Sequence, residues 1–270
     1  LPVSVRHHYG IEMNSMIATA APDFDVHLLD VPRARAAGVE IFCITFDFGV
    51  MLDHPAFAIL SDDERAKAVR FVRHEDALRH AGTRAVLRQL LAERTGEKPG
   101  ALRFEPDAAG RPRVVPMRSS PADKPDVWPD FNVSHSGRHA LIAIAARGRV
   151  GVDIEAARNG MNWHALTPTV FAPRDDAYVS ALPAHSRADA FYAVWTAKEA
   201  LLKALGVGIG DGMTWFSVLG DAQQAPSVAL SDDRARNGNA ILQLDAQWLR
   251  ISAGYCACVA WSRDAVPANP

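Results

Sequence analysis

The chain has little net charge, few cysteines and no long apolar run, and each shortage removes a class of protein. With 29 Lys and Arg against 31 Asp and Glu, the formal net charge is −2. Nothing in the global balance therefore pulls the chain toward nucleic acid or an anionic membrane, and any basic site has to be local. Three cysteines, Cys43, Cys256 and Cys258, make no paired framework and point to a reducing cytoplasm. Cys256 and Cys258 lie in a run that reads as a buried strand, and no nearby His or Cys completes a metal set around them. No stretch approaches the roughly 20 apolar residues of a membrane span, and the beginning of the chain lacks a charged-then-apolar export pattern. What remains is an ordinary globular composition, 49% apolar and 22% charged over 270 residues, enough for one large domain or two average ones.

Residues 1 to 38 show no periodicity and read as an N-terminal extension, partly disordered, with Met13 or Met16 as candidate starts. Regular structure is expected from Val39, where Ile41-Phe-Cys-Ile-Thr-Phe46 reads as a strand. Ser61 and Glu64 have capping-box spacing and open a helical region that breaks near His74 and runs to Arg94. Its buried stripe is Ala77, Ala81, Leu87, Leu90 and Leu91. Arg65, Lys67, Arg70, Arg73, Arg79, Arg84 and Arg88 make the remainder basic. Such a helix is either a solvated face or a home for a phosphate; nucleic acid fits less well, because no aromatics are interleaved to stack on bases. A strand at 101–105, a turn at Asp107 to Pro112 and a Pro-rich loop follow. Ser134-His135-Ser136-Gly137 then reads as a polar turn before the strand ending at Ala145.

Val150-Gly-Val-Asp-Ile-Glu155 alternates apolar and acidic residues with the period of a strand. Asp153 and Glu155 therefore share one face about 7 Å apart, where they need a shared proton, a cation between them, or open solvent. A second helix is expected from Arg187, capped by Ser186, to Leu205, with Trp195, Glu199 and Lys203 stacked along one stripe at four-residue spacing. The glycines at 206, 208, 210 and 212 imitate a dinucleotide fingerprint, but they follow a helix rather than a strand, so they read as a loop. The order of elements repeats. Residues 39–149 and 150–264 each read as strand, helical region, strand with turn, and final strand, followed by a tail over 265–270. Ser136-Gly-Arg-His-Ala also lines up with Ala253-Gly-Tyr-Cys-Ala. The expected fold class is thus α/β (α+β), a pseudo-twofold pair of similar subdomains with a ligand where the halves meet.

Four motifs, in order, resemble the surfactin-type (Sfp-type) 4′-phosphopantetheinyl transferases. They are Gly110-Arg-Pro112, Asn132-Val-Ser-His-Ser-Gly137, Gly151-Val-Asp-Ile-Glu155 and Trp195-Thr-Ala-Lys-Glu-Ala-Leu-Leu-Lys203, with a looser match at His74-Glu-Asp-Ala-Leu-Arg79. The resemblance implies a two-lobed fold holding coenzyme A and Mg²⁺ between lobes. It implies transfer of phosphopantetheine to a serine of an acyl or peptidyl carrier protein, with release of adenosine 3′,5′-bisphosphate. By position it implies Asp153, Glu155 and Glu199 as metal ligands, with Glu199 also the base for the carrier serine. His135 and Lys203 are implied as pyrophosphate or 3′-phosphate contacts, and Lys67 and Arg79 as 3′-phosphate contacts. Gly110, Arg111, Pro112 and Ser134 resemble the adenine-side wall. Two departures stand out: Arg111 where the family often has Lys, and Glu64 where some relatives carry a basic phosphate contact, with Arg70 or Arg73 as substitutes. The motifs also suggest a monomer, and polyketide or nonribosomal peptide carriers as substrates. A metal-dependent phosphoesterase and a non-catalytic coenzyme A- or carrier-binding protein are the competing readings.

Overall fold

A computed structural model describes residues 24–108, 110–115, 128–157, 161–207, 212–219, 225–231 and 238–263. Most of the N-terminal extension, the Pro-rich loop, Gly208, Gly210 and the tail lie outside these. The elements run β1 (Asp25–Leu28), α1 (Pro32–Ala36), β2 (Val39–Thr45), α2 (Asp62–Ala68), α3 (His74–Thr95), β3 (Arg103–Pro106), β4 (Pro112–Val115), β5 (Asp130–Ser136) and β6 (His139–Ala145). The second half continues with β7 (Val150–Ala156), α4 (Thr167–Val170), α5 (Pro173–Ala181), α6 (Ala184–Leu205), β8 (Phe216–Leu219), β9 (Ser227–Leu230), α7 (Gly238–Ile241), β10 (Leu244–Leu249) and β11 (Tyr255–Ser262). Among the described residues no helix is long and apolar enough to cross a membrane.

Two antiparallel sheets carry the fold, one in the order β1-β2-β6-β5 and one in the order β10-β11-β7. Because side chains alternate across a strand, each sheet is apolar on both faces. Phe42, Ile44, Ala140, Ile142 and Ile144 pack on α3 with Leu78, Ala81, Ala85 and Leu91. The opposite face, Ile41, Cys43, Leu141 and Ala143, packs on Val150, Val152, Ile154, Ala257, Val259 and Trp261 of the second sheet. The far side of that sheet, Ala246, Trp248, Cys258 and Ala260, packs on Phe191, Val194, Ala197, Leu201 and Leu202 of α6. The result is four layers, helix, sheet, sheet and helix, with the sheet-to-sheet contact joining the halves.

The repeat is real, and the sheet orders define it: β2-β6-β5 in the first half corresponds to β7-β11-β10 in the second. The long helices α3 and α6 are each 22 residues. The letter match between Ser136-Gly and Ala253-Gly is, however, out by one. Strand faces pair His139 with Tyr255, not with Cys256, since a slip of one residue would turn every core side chain outward.

Three expectations about local structure are corrected. Strand β1 lies inside the stretch read as an aperiodic extension, and it covers the outer edge of β2; a four-residue strand offers too few alternations to register. Residues 134–136 belong to β5, and the turn is only Gly137 and Arg138. Helix α6 begins after Pro183 at Ala184, with no side-chain cap; Ser186 is already inside it. The break near His74 and the Ser61–Glu64 capping box are both present, the latter with Glu64 N donating to Ser61 Oγ at 3.3 Å and Ser61 N to Glu64 Oε2 at 3.0 Å.

Candidate active site

The acidic face of β7 looks toward α6, and Gly151 is what lets the two meet. A Cβ at residue 151 would sit 2.1 Å from Ala200 O and 2.4 Å from Ala204 N, so only glycine admits the helix backbone this close. The approach brings the Glu199–Lys203 stripe onto Asp153. Lys203 Nζ lies 2.6 Å from Asp153 Oδ1 and 3.5 Å from Glu199 Oε2, and donates to Val152 O at 3.3 Å. Trp195, one turn earlier, donates its indole N–H to Glu199 Oε1 at 3.1 Å. Burial on its own would lower the Lys203 pKa, but the Asp153 and then the Glu199 carboxylates outweigh it and hold the ammonium above its usual value. The ammonium therefore stays charged at neutral pH.

Strand β5 completes the cluster from the other half. β5 and β7 are the facing edges of the two sheets, and they are joined by side chains instead of a backbone ladder. Asp130, Asn132 and Ser136 accept from the amides of Val150, Val152 and Ala156 at 2.8, 2.9 and 3.0 Å. The same face fixes the carboxylates: Ser134 Oγ donates to Asp153 Oδ1 at 2.8 Å and Ser136 Oγ to Glu155 Oε2 at 3.1 Å. The Asn-x-Ser-x-Ser spacing thus seals an exposed edge and orients two acids at once. His135, between the two serines, points to the opposite face. There crowding first, and then the cations Arg79 and Lys203, hold its pKa below the ordinary imidazole value, although the ring reaches the surface.

The other expected residues are dispersed around this centre. Arg79 donates to Gly137 O at 2.6 Å and pairs with Asp76 at 2.5 Å, which ties α3 to the β5–β6 turn beside His135. Lys67 is exposed on α2. Gly110, at φ 80°, makes the turn that leads to Pro112 at the head of β4. Arg111 is buried at 9% exposure and its guanidinium is bonded to β5, β7 and the end of α6. Glu64 has a structural explanation: it is buried, caps α2 and holds Arg84 and Arg88 at 3.2 and 2.7 Å, and both arginines stack on Phe104. Arg84 and Arg88 are therefore committed inside the fold, while Arg70 and Arg73 are exposed.

The donors suit a hard divalent cation in kind: three carboxylates from two rigid elements, one of them, Asp153, only 3% exposed with Oδ2 lacking any partner. Among the described residues no group of three or more His, Cys, Asp or Glu is drawn together closely enough to hold a metal ion. Lys203 supplies the positive charge next to Asp153.

Two groups escaped the sequence reading. Lys198, inside the Trp-x-x-Lys-Glu motif, is fully buried, 2.6 Å from Asp175 and donating to Val170 O and Met213 O. The half-buried His80 has an Nε2 with no partner. Burial first, then Lys67 and Arg84, push its pKa down to about 4. Spacing could not have found Lys198, because its partners lie far along the chain.

Residues 149–260 match the 4′-phosphopantetheinyl transferase superfamily, and residues 54–147 match the N-terminal 4′-phosphopantetheinyl transferase family. A Synechocystis sp. protein provisionally named as a 4′-phosphopantetheinyl transferase is 33% identical over 213 residues, covering 77% of this chain and 82% of that one. The transferase HetI of Nostoc sp. is 34% identical over 152 residues, 56% of this chain and 62% of that one. Sfp of Bacillus subtilis is 25% identical over 196 residues, 70% and 82% of the two. Among solved structures, a holo-(acyl-carrier-protein) synthase from Bacillus anthracis in complex with CoA (3′,5′-ADP) aligns with TM-score 0.33 and 17% identity over 42% of this chain and 92% of that one. The chain belongs to the 4′-phosphopantetheinyl transferase family.

Proposed function

We propose that this enzyme moves 4′-phosphopantetheine from coenzyme A to a serine of an acyl or peptidyl carrier protein, releasing adenosine 3′,5′-bisphosphate, at the junction of β5, β7 and α6. The observation that carries the assignment is the close approach at Gly151, which sets Glu199 and Lys203 beside Asp153. In the reaction the serine oxygen bonds to the phosphorus that carries pantetheine, the bridging P–O bond of the pyrophosphate breaks, and the bisphosphate departs. Glu199 accepts the serine proton, since a hydroxyl is a poor nucleophile at neutral pH without a base. Lys203, kept charged by its carboxylates, faces the charge that builds on the pyrophosphate oxygens. Asp153, Glu155 and Glu199 are the residues that would hold Mg²⁺, and the ion when bound neutralises phosphate charge. His135, Arg79 and Lys67 are assigned to the phosphates, and Gly110, Pro112 and Ser134 to the adenine side. We assign the protein to the cytoplasm as a monomer, serving carriers of polyketide or nonribosomal peptide synthesis.

The test is direct. Incubation with coenzyme A, Mg²⁺ and a panel of apo-carrier proteins should add the mass of phosphopantetheine to at least one carrier. Absence of a mass increase on every carrier would refute the assignment, and bisphosphate release without any carrier would favour the phosphoesterase reading.

A further inference from the structure

We propose that Arg111 is a positioning residue for transfer, acting through the last turn of α6, and not a wall of the nucleotide site. Its Nη2 donates to Asp130 Oδ2, Phe131 O and Val150 O, each at 2.7 Å, and its Nη1 donates to Lys203 O. One planar group thereby joins the start of β5, the start of β7 and the end of α6. These are the three elements that supply Ser134, Asp153 and Lys203 to the cluster.

The need for such a bolt follows from the topology. β5 and β7 share no backbone ladder, so their spacing depends on side chains, and Asp130 at the Arg111 end accepts from the Val150 amide with the same oxygen that takes the guanidinium. At the end of α6, Lys203 O accepts from the capping Gly206 amide at 3.2 Å, and Arg111 adds a second donor to the same carbonyl. Those bonds fix the backbone from which the Lys203 ammonium reaches Asp153. A lysine has the charge but not the directed fork needed for four acceptors on three elements. With both Nη atoms committed inside the fold and the one unpartnered nitrogen, Nε, itself buried, the guanidinium has little left to offer a nucleotide.

The kinetic part of this inference rests on the transferase reading; the structural part does not. The experiment therefore has two arms, run on the full chain as Arg111→Lys and Arg111→Met. In the first, initial rates are measured against coenzyme A at saturating carrier. Arg111→Met should lower kcat by roughly 30-fold or more with KM for coenzyme A within about 3-fold, and Arg111→Lys should recover part of the loss. A roughly 10-fold rise in KM at unchanged kcat would make Arg111 a direct ligand contact and overturn the proposal. In the second arm, amide hydrogen exchange read by mass spectrometry should be about 10-fold faster over 199–206 and 150–154, with the centre of α3 unaffected. Unchanged exchange over 199–206 would overturn it as well. If Arg111→Met fails to fold, Arg111→Lys carries both readouts. If the wild type shows no turnover, the proposed function falls while the exchange arm still decides the role of Arg111.

Discussion

The two long helices α3 and α6 are built alike and used differently. Each places a buried cation at its fifteenth residue, Arg88 in one and Lys198 in the other. Each cation is paired with the acid at the third residue of the preceding helix, Glu64 at 2.7 Å and Asp175 at 2.6 Å. Each also donates to carbonyls just before the following hairpin and lies about 5 Å from an aromatic ring, Phe104 or Phe216. The next turn is where the halves part. Glu199 and Lys203 of α6 correspond to Gln89 and Glu93 of α3, and Gly151, Asp153 and Glu155 of β7 correspond to Glu40, Phe42 and Ile44 of β2. The scaffold is shared, including its least conventional part, a buried ion pair. The copies differ in that β7 carries carboxylates where β2 carries core residues, and the β2 edge is covered by β1.

The difference predicts opposite failures at equivalent positions. Asp153→Asn should cut turnover by roughly 100-fold or more while leaving the unfolding midpoint nearly unchanged. Phe42→Ala should remove about 3 to 5 kcal/mol of stability in denaturant titration, with the folded fraction still active. Lys198→Met should cost about 3 to 5 kcal/mol, because it leaves the buried Asp175 without its cation, and Arg88→Met should cost less, because Arg84 still pairs with Glu64. Asp175 also accepts from the Ala172 and Val218 amides at 2.8 Å each, so adding Asp175→Leu to Lys198→Met should return only part of the loss. Gly151→Ala should push α6 from β7, lowering stability by about 3 kcal/mol together with activity. Its counterpart, Glu40→Ala, breaks only a partly exposed pair with Arg94 and should cost under about 1 kcal/mol.

The smallest effect concerns acid. His80 is neutral in the fold down to about pH 4 and protonates near its ordinary 6.5 when unfolded. The unfolded chain therefore binds more protons between these values, and stability falls as pH drops from 6.5 toward 4. The slope is at most about 1.4 kcal/mol per pH unit and less for a half-exposed ring. His80→Gln should flatten the urea-midpoint profile across that window, and an unchanged profile would remove His80 from the account.

Much of the site was legible because it rests on local spacing. The alternation of 150–155 gave the acid pair its face, and the four-residue interval gave Glu199 and Lys203 theirs. The alternation of polar residues at 130, 132, 134 and 136 was equally available, yet Gly137 suggested a turn and hid the strand that seals β7. The partners of Arg88, Lys198 and Arg111 were not legible, since a cation's choice between solvent, ligand and buried acid is set by contacts many residues distant. Arg84 and Arg88 illustrate this, counted among the basic residues in sequence but paired with Glu64 in the fold. The close packing at Gly151 explains the glycine that shares the acids' face of β7.

Glu199→Gln gives α6 the residue that α3 already carries at the same position, and so asks most directly whether the site belongs to the second half. With Mg²⁺, coenzyme A and a carrier that the wild type modifies, the rate of phosphopantetheine addition followed by intact mass should fall roughly 100-fold or more, with the thermal midpoint preserved. Addition at the wild-type rate would contradict the account.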